Sequence, residues 1–216
     1  RLIAAVGPLQ LWGRLICIPV VNEAAYWRRQ RTTEDELDLA RTCPSRPGGS
    51  ITERVAHAVS THIRAADYLI DLHSGGIVME FYPTVDYTLH PDLKILEVQP
   101  RMAPTLNMPI ICGTYPHLDG RALSVARDAR VAAIYAEWMG SGVCDPAGVN
   151  AYYEGCLDVM ATLDMLNRTQ PISRSESKYE PRRATRSTLS GLVLCLRVYS
   201  QVHAGDRLAT ILEFER

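Results

Sequence analysis

The chain has 216 residues, 47% of them hydrophobic, and its 23 basic and 24 acidic side chains leave a formal net charge of −1. That is enough apolar material for one full core with a small appendage, and the even charge balance gives no global basic field for nucleic acid. No apolar run approaches the roughly 18–20 residues needed to cross a bilayer, so no membrane span is expected.

Residues 14–21, Arg-Leu-Ile-Cys-Ile-Pro-Val-Val, form an apolar, β-branched run that reads as a buried strand covered on both faces. The polar, turn-rich stretch 22–50 ends in Pro47-Gly48-Gly49, and an irregular segment of that length in a compact domain is more often functional than idle. Ser50 followed by Glu53 makes a capping box. Ile51, Val55, Val59 and Ile63 then recur at helical spacing, which predicts an amphipathic helix over 51–66. A strand, Tyr68–Leu72, follows and ends at His73-Ser74-Gly75-Gly76, where glycines permit a sharp turn.

A helix over 91–104, a strand at Ile110–Cys112, a helix near 121–130 and a strand Ala133–Ala136 ending at Glu137 continue the alternation. Asp145-Pro146 predicts a cap and first turn for a helix running to about Leu166, with Val149, Tyr153, Cys156, Met160 and Leu163 inward. The fold class is α/β, a mainly parallel or mixed sheet flanked by helices over residues 1–167. A basic linker over 168–188 includes Arg168, Arg174, Lys178, Arg182, Arg183 and Arg186, and reads as a solvated segment. A small β subdomain over 189–216 follows, with a tight turn at Gly205-Asp206.

The six cysteines are scattered, form no C-x-x-C pair and lie partly in apolar runs, as free thiols do. A reducing, cytoplasmic setting is expected. Neither G-x-S-x-G nor a phosphate-binding glycine motif is present. Of the two lysines, Lys94 and Lys178, neither stands at an expected strand end for Schiff-base work.

Ligands of open α/β sheets sit at the carboxyl ends of strands, and His73 and Glu137 occupy two such ends. Taken singly, each is more often a satisfied structural residue. Upstream stand Asn22-Glu-Ala-Ala, Arg31, and Asp38-Leu39-Ala40-Arg41-Thr42-Cys43-Pro44, then the helix, then Asp71-Leu72-His73, and farther on Ala136-Glu137-Trp138-Met139-Gly140. In this order the motifs resemble those of the succinylglutamate desuccinylase/aspartoacylase family of zinc carboxypeptidase-like deacylases, and the closing V-x-A-G-D-x-L pattern resembles that family's C-terminal segment.

The resemblance implies a zinc-dependent deacylase that cleaves an N-acyl amide of a small carboxylate-bearing molecule. It makes His73 a zinc ligand oriented by Asp71, and Glu137 the general base. Arg31 becomes the oxyanion stabiliser, Arg41 the grip on a substrate carboxylate, and Arg127 a further anion contact. Surface ion pairing with Glu34, Asp35, Glu36 or Asp38 is the plain alternative for Arg31 and Arg41.

The family's site also draws a histidine and a glutamate from a loop before the first strand. Only thirteen residues precede residue 14, none of them His or Glu, and no H-x-x-E occurs anywhere. An N-terminally truncated chain is therefore expected, with Glu53 and His57 as a substitute pair of lesser merit. Ala40 and Cys43, where the family has Asn and Phe, leave the substrate open. The rival readings are a non-catalytic small-molecule binder that has lost the metal and, with little weight because no lysine follows Lys178, a biotinyl- or lipoyl-like carrier segment. The expected partner is a small molecule rather than nucleic acid or membrane, and a homo-oligomer is left open.

Overall fold

The structure, a computed structural model, describes residues 1–8, 10–169, 192–195 and 200–212. After a short turn of helix, α1 (Leu2–Ala5), comes α2 (Glu23–Arg28), capped by the Asn22 side chain, which accepts from the Ala25 N–H at 3.2 Å. A single 3₁₀ turn at Leu39–Arg41 leads toward α3 (Ile51–Arg64), whose start carries the expected capping box, with the Ser50 N–H donating to Glu53 Oε2 at 2.8 Å. Next come β1 (Tyr68–His73), β2 (Glu80–Thr88), α4 (Leu93–Met102), β3 (Ile110–Thr114), α5 (Ala122–Ala129), β4 (Ala132–Gly140) and α6 (Pro146–Thr162). Asp145 caps α6 by accepting from the Ala147 N–H at 3.0 Å, and Pro146 occupies the first turn, where its missing N–H costs nothing.

The four strands lie in the order β1-β4-β2-β3. β1 runs parallel to β4 and β2 parallel to β3, while β2 and β4 are antiparallel, so the sheet is mixed. One face carries Val85, Tyr87, Ile111, Ile134 and Ala136 against Met102, Leu106 and Val159 from α4, the turn after it and α6. The other carries Leu69 and Ala133 against Ala56 and Ile63 of α3 and Leu123 and Ala126 of α5. α6 comes close to the turn after α4 only because Gly155 has no side chain: a Cβ there would sit 2.6 Å from Leu106 Cδ2.

Several expectations are corrected, among them the end of β4, which runs past Glu137 to Gly140. Residues 14–21 form no strand; Ile16, Ile18, Val20 and Val21 stay 38–45% exposed, because no described strand lies alongside to accept their ladder. β2, unforeseen, is an interior strand, buried from Pro83 to Thr88. Val149 lies outward at 44% exposure, and the buried side of α6 runs through Gly148, Cys156, Val159 and Met160.

The first linker residue, Arg168, is no solvated charge. It pairs with Glu154 at 2.6 Å and with buried Asp158 at 2.8 Å, which ties the chain after α6 back onto that helix. From residue 170 the linker lies outside the described residues, as do 189–191, 196–199 and 213–216 of the C-terminal segment. Within that segment β5 (Leu192–Cys195) and β6 (Ala209–Leu212) pair antiparallel, and the Asp206 N–H donates to the His203 carbonyl at 3.1 Å across the turn at Gly205. No helix among the described residues is long and apolar enough to cross a membrane.

Candidate active site

The site follows from strand register. The β1–β4 pairing sets His73 opposite Glu137 and Asp71 opposite Tyr135, and the β2–β4 pairing sets Thr84 opposite Glu137 and Asp86 opposite Tyr135. Residues two apart on a strand share a face, so all six stand on the α3/α5 side of the sheet, beyond the apolar floor of Leu69 and Ala133.

His73 Nε2 donates to Asp71 Oδ1 at 3.0 Å. Its Nδ1 has no partner among the described residues. A carboxylate that fixes one imidazole nitrogen and leaves the other as ligand is the usual arrangement behind a metal-binding histidine. Burial alone would push this imidazole's pKa down. The hydrogen bond and charge of Asp71, joined by the charge of Glu137, outweigh burial and the opposing charge of Arg31, so His73 lies above its ordinary value. The Tyr152 hydroxyl, reaching over from α6, donates to the His73 carbonyl at 2.6 Å and fixes the end of β1.

Glu137 is 5% exposed. The Tyr135 hydroxyl donates to its Oε1, while Oε2 is buried without a hydrogen-bond partner among the described residues. The Tyr135 ring also packs on His73, with centroids 4.7 Å apart at 52°. Glu137 thus keeps one carboxylate oxygen free of hydrogen bonds among the described residues, at the strand position opposite His73.

The turns after β1 and β4 are clamped together. The Gly75 N–H donates to the Met139 carbonyl at 2.8 Å, Ser141 N–H to Met79 at 2.9 Å and Gly142 N–H to Gly76 at 2.8 Å. Gly75 has to be glycine here, because a Cβ would lie 2.1 Å from the Met79 carbonyl oxygen.

Arg31 lies close enough for its charge to act on His73, and its guanidinium is held by Asp38 Oδ2 at 3.0 and 3.2 Å. The other oxygen of Asp38 caps the 3₁₀ turn through the Ala40 N–H at 3.0 Å. Arg41, in that turn, is exposed, and its guanidinium donates only to the Ala40 carbonyl, at 2.6 Å, so it meets no carboxylate among the described residues.

Arg127 sits elsewhere. Its guanidinium is held by Asp119 at 2.8 Å, by Asp128 at 2.7 Å and by the Pro116 carbonyl, tying the loop before α5 to that helix, so a substrate anion there would compete with two carboxylates. Glu53 bonds Ser50 and Arg46 rather than His57, which removes the substitute metal pair. The described residues thus offer one metal-type ligand, His73 with Asp71 behind it, but no cluster of three or more His, Cys, Asp or Glu side chains. A complete zinc site is not assembled from them, although a catalytic zinc takes about three protein ligands.

Sequence reasoning overlooked Tyr135 and Tyr152. The first had a signal, since it stands two residues before Glu137 on the same strand. The second had none, for it arrives from a helix 79 residues beyond His73.

The profile of the succinylglutamate desuccinylase/aspartoacylase catalytic domain matches residues 1–163, and the chain belongs to that family. It is 36% identical over 73 residues to an N-alpha-acetyl-L-2,4-diaminobutyric acid deacetylase from Halomonas elongata, a match spanning 33% of this chain and 21% of that protein. In fold it is similar to a product-bound ectoine utilization protein from Ruegeria pomeroyi, with a TM-score of 0.88 at 22% identity, covering 100% of this chain and 68% of that one. A succinylglutamate desuccinylase/aspartoacylase from Rhodobacter sphaeroides gives 0.86 at 20% identity, over 98% of this chain and 67% of that one.

Proposed function

We propose that the protein hydrolyses the N-acyl amide of a small carboxylate-bearing amino acid, with N-alpha-acetyl-L-2,4-diaminobutyrate as the first substrate to try. Family membership supports deacylase chemistry, and the named activity of the Halomonas elongata relative supports the substrate class. The observation that carries the reading is the register placing His73, backed by Asp71, directly across from Glu137.

Zinc is the cofactor proposed for His73 Nδ1, together with ligands the described residues do not supply; when bound it would lower the pKa of water. Glu137 accepts a proton from the attacking water at Oε2 and returns it to the departing amine nitrogen, so that the amine leaves neutral. Arg31 stabilises the negative charge that develops on the acyl oxygen, with Asp38 holding its guanidinium. Arg41, exposed and without a carboxylate partner among the described residues, binds the substrate carboxylate through its planar fork of donors. Arg127 has a supporting part, shaping the 115–120 loop against which the 3₁₀ turn rests through the Cys43 N–H to Gly120 carbonyl bond at 3.0 Å.

Two measurements test this. Elemental analysis is expected to find zinc near one per chain in the wild type and little in His73→Ala. Glu137→Ala is expected to keep the metal and lose about 10²–10⁴-fold in kcat on the acetylated diaminobutyrate. Full activity in Glu137→Ala would remove the proposed base.

A further inference from the structure

We propose that Tyr135 is a positioning residue for this reaction: one side chain pins Glu137 by a single carboxylate oxygen and braces the His73 ring, leaving Glu137 Oε2 as the atom that carries the proton. The inference rests on the deacylase reading and on Glu137 as its base.

Three features of the site carry it. The Tyr135 hydroxyl donates to Glu137 Oε1 and not to Oε2, so the two oxygens, equivalent in a free carboxylate, are made different. Oε2 is left buried and unpartnered among the described residues. The terminal torsion of a glutamate is broad and roughly two-fold, so without such a bond either oxygen could present itself in a range of directions. The Tyr135 ring, moreover, lies 4.7 Å from the His73 ring at 52°, within the range of favourable tilted aromatic contacts.

Register explains why this residue can do both. Tyr135 shares a strand face with Glu137 and stands opposite Asp71, which itself holds His73 Nε2 at 3.0 Å. Asp71, His73, Tyr135 and Glu137 therefore stand at four neighbouring positions set by register, linked in turn by the Asp71–His73 bond, the His73–Tyr135 ring contact and the Tyr135–Glu137 bond. Tyr135 touches the two functional groups without standing where either reacts, so its effect is felt through them.

The test uses Tyr135→Phe, which keeps the ring and removes only the hydroxyl. In a crystal structure of this variant the Glu137 carboxylate is expected to turn or split between orientations while the β4 backbone stays in place; an unmoved carboxylate overturns the inference, whatever the substrate. On the acetylated diaminobutyrate, kcat is expected to fall about tenfold with KM held within about twofold, since an interaction acting only on the chemical step lowers kcat alone. In a Glu137→Ala background the same change is expected to cost less than about twofold, because there is no carboxylate left to position. A tenfold cost that persists in that background, or a wild-type kcat in Tyr135→Phe alone, defeats Tyr135 while leaving the base in place. Full activity in Glu137→Ala defeats the base, and Tyr135 with it.

Discussion

Asp35 shows how much of the candidate site depends on side chains that do no chemistry. It accepts from the Ser50 hydroxyl at 2.6 Å, the Thr52 N–H and hydroxyl at 2.8 Å each, and the Thr33 hydroxyl at 2.6 Å, so it anchors the loop carrying Arg31 and Arg41 to the start of α3. Burial would raise its pKa, but these hydrogen bonds, Ser50 first, outweigh that and hold the carboxylate well below its ordinary value. A folded-state pKa below the unfolded value near 3.9 gives stability that is fully present above about pH 4 and is lost as pH falls through the folded value. Asp35→Asn is therefore expected to destabilise the protein by about 2 kcal/mol at pH 7, by weakening hydrogen bonds to a charged acceptor. The gap between the wild-type and variant melting curves should close as pH drops below about 4. A gap that does not change from pH 7 to pH 3 would show that the Asp35 charge is not what holds the loop.

Among the elements, the ones legible in the sequence are those whose information is local. α3 declares itself through the Ser50/Glu53 box and a period of four, and β1 ends at His73 as its sequence suggests, whereas β4 runs past Glu137 to Gly140, and it is the register that sets the two residues opposite one another. What was not legible depends on neighbours. Residues 14–21 have the composition of a strand but no partner among the described residues. β2 contains Pro83, a residue that argues against an interior strand, and its register slips between Phe81 and Thr84, so neither alternation nor composition marks it. The clamp between the turns after β1 and β4 is another long-range feature, and it makes a sharp prediction. Gly75→Ala places a methyl group against the Met79 carbonyl oxygen, a backbone atom that cannot rotate away. The turns must part, and with them the strand ends that align His73 and Glu137. A loss of about 1–3 kcal/mol in stability is expected, together with faster hydrogen exchange at the Gly75, Ser141 and Gly142 amides and at least about a tenfold fall in kcat/KM. Unchanged exchange at those three amides would mean that the clamp does not depend on the missing side chain.

At the scale of the whole molecule, the sheet has two outermost strands, β1 and β3, and exposed apolar side chains stand along β1. β1 is an outermost strand in the order β1-β4-β2-β3, so half of its backbone polar groups face away from the ladder. Tyr68 and Leu72 on that strand are each 41% exposed, and the nearby turn adds Ile77 at 64% and Val78 at 81%. Ile16, Ile18, Val20 and Val21 add a further run of exposed β-branched side chains, with Val20 and Val21 bordering an apolar groove with Trp27, Ile51 and Val55. An unpaired strand edge and a contiguous apolar surface are the two features that make a β-containing protein adhere to itself. The 216-residue chain is expected to self-associate at micromolar concentration, with sedimentation coefficients that rise on concentration. The double substitution Ile16→Lys and Ile18→Lys adds two charges to a surface that supports no ladder, so it should leave the melting temperature nearly unchanged. It should also weaken the association at least about tenfold, roughly 1.4 kcal/mol. Sedimentation velocity of both chains decides the matter. Equal association in the two would place the contact at the β1 edge rather than at the 14–21 run, and a monodisperse wild type would show that these exposed side chains do not drive association.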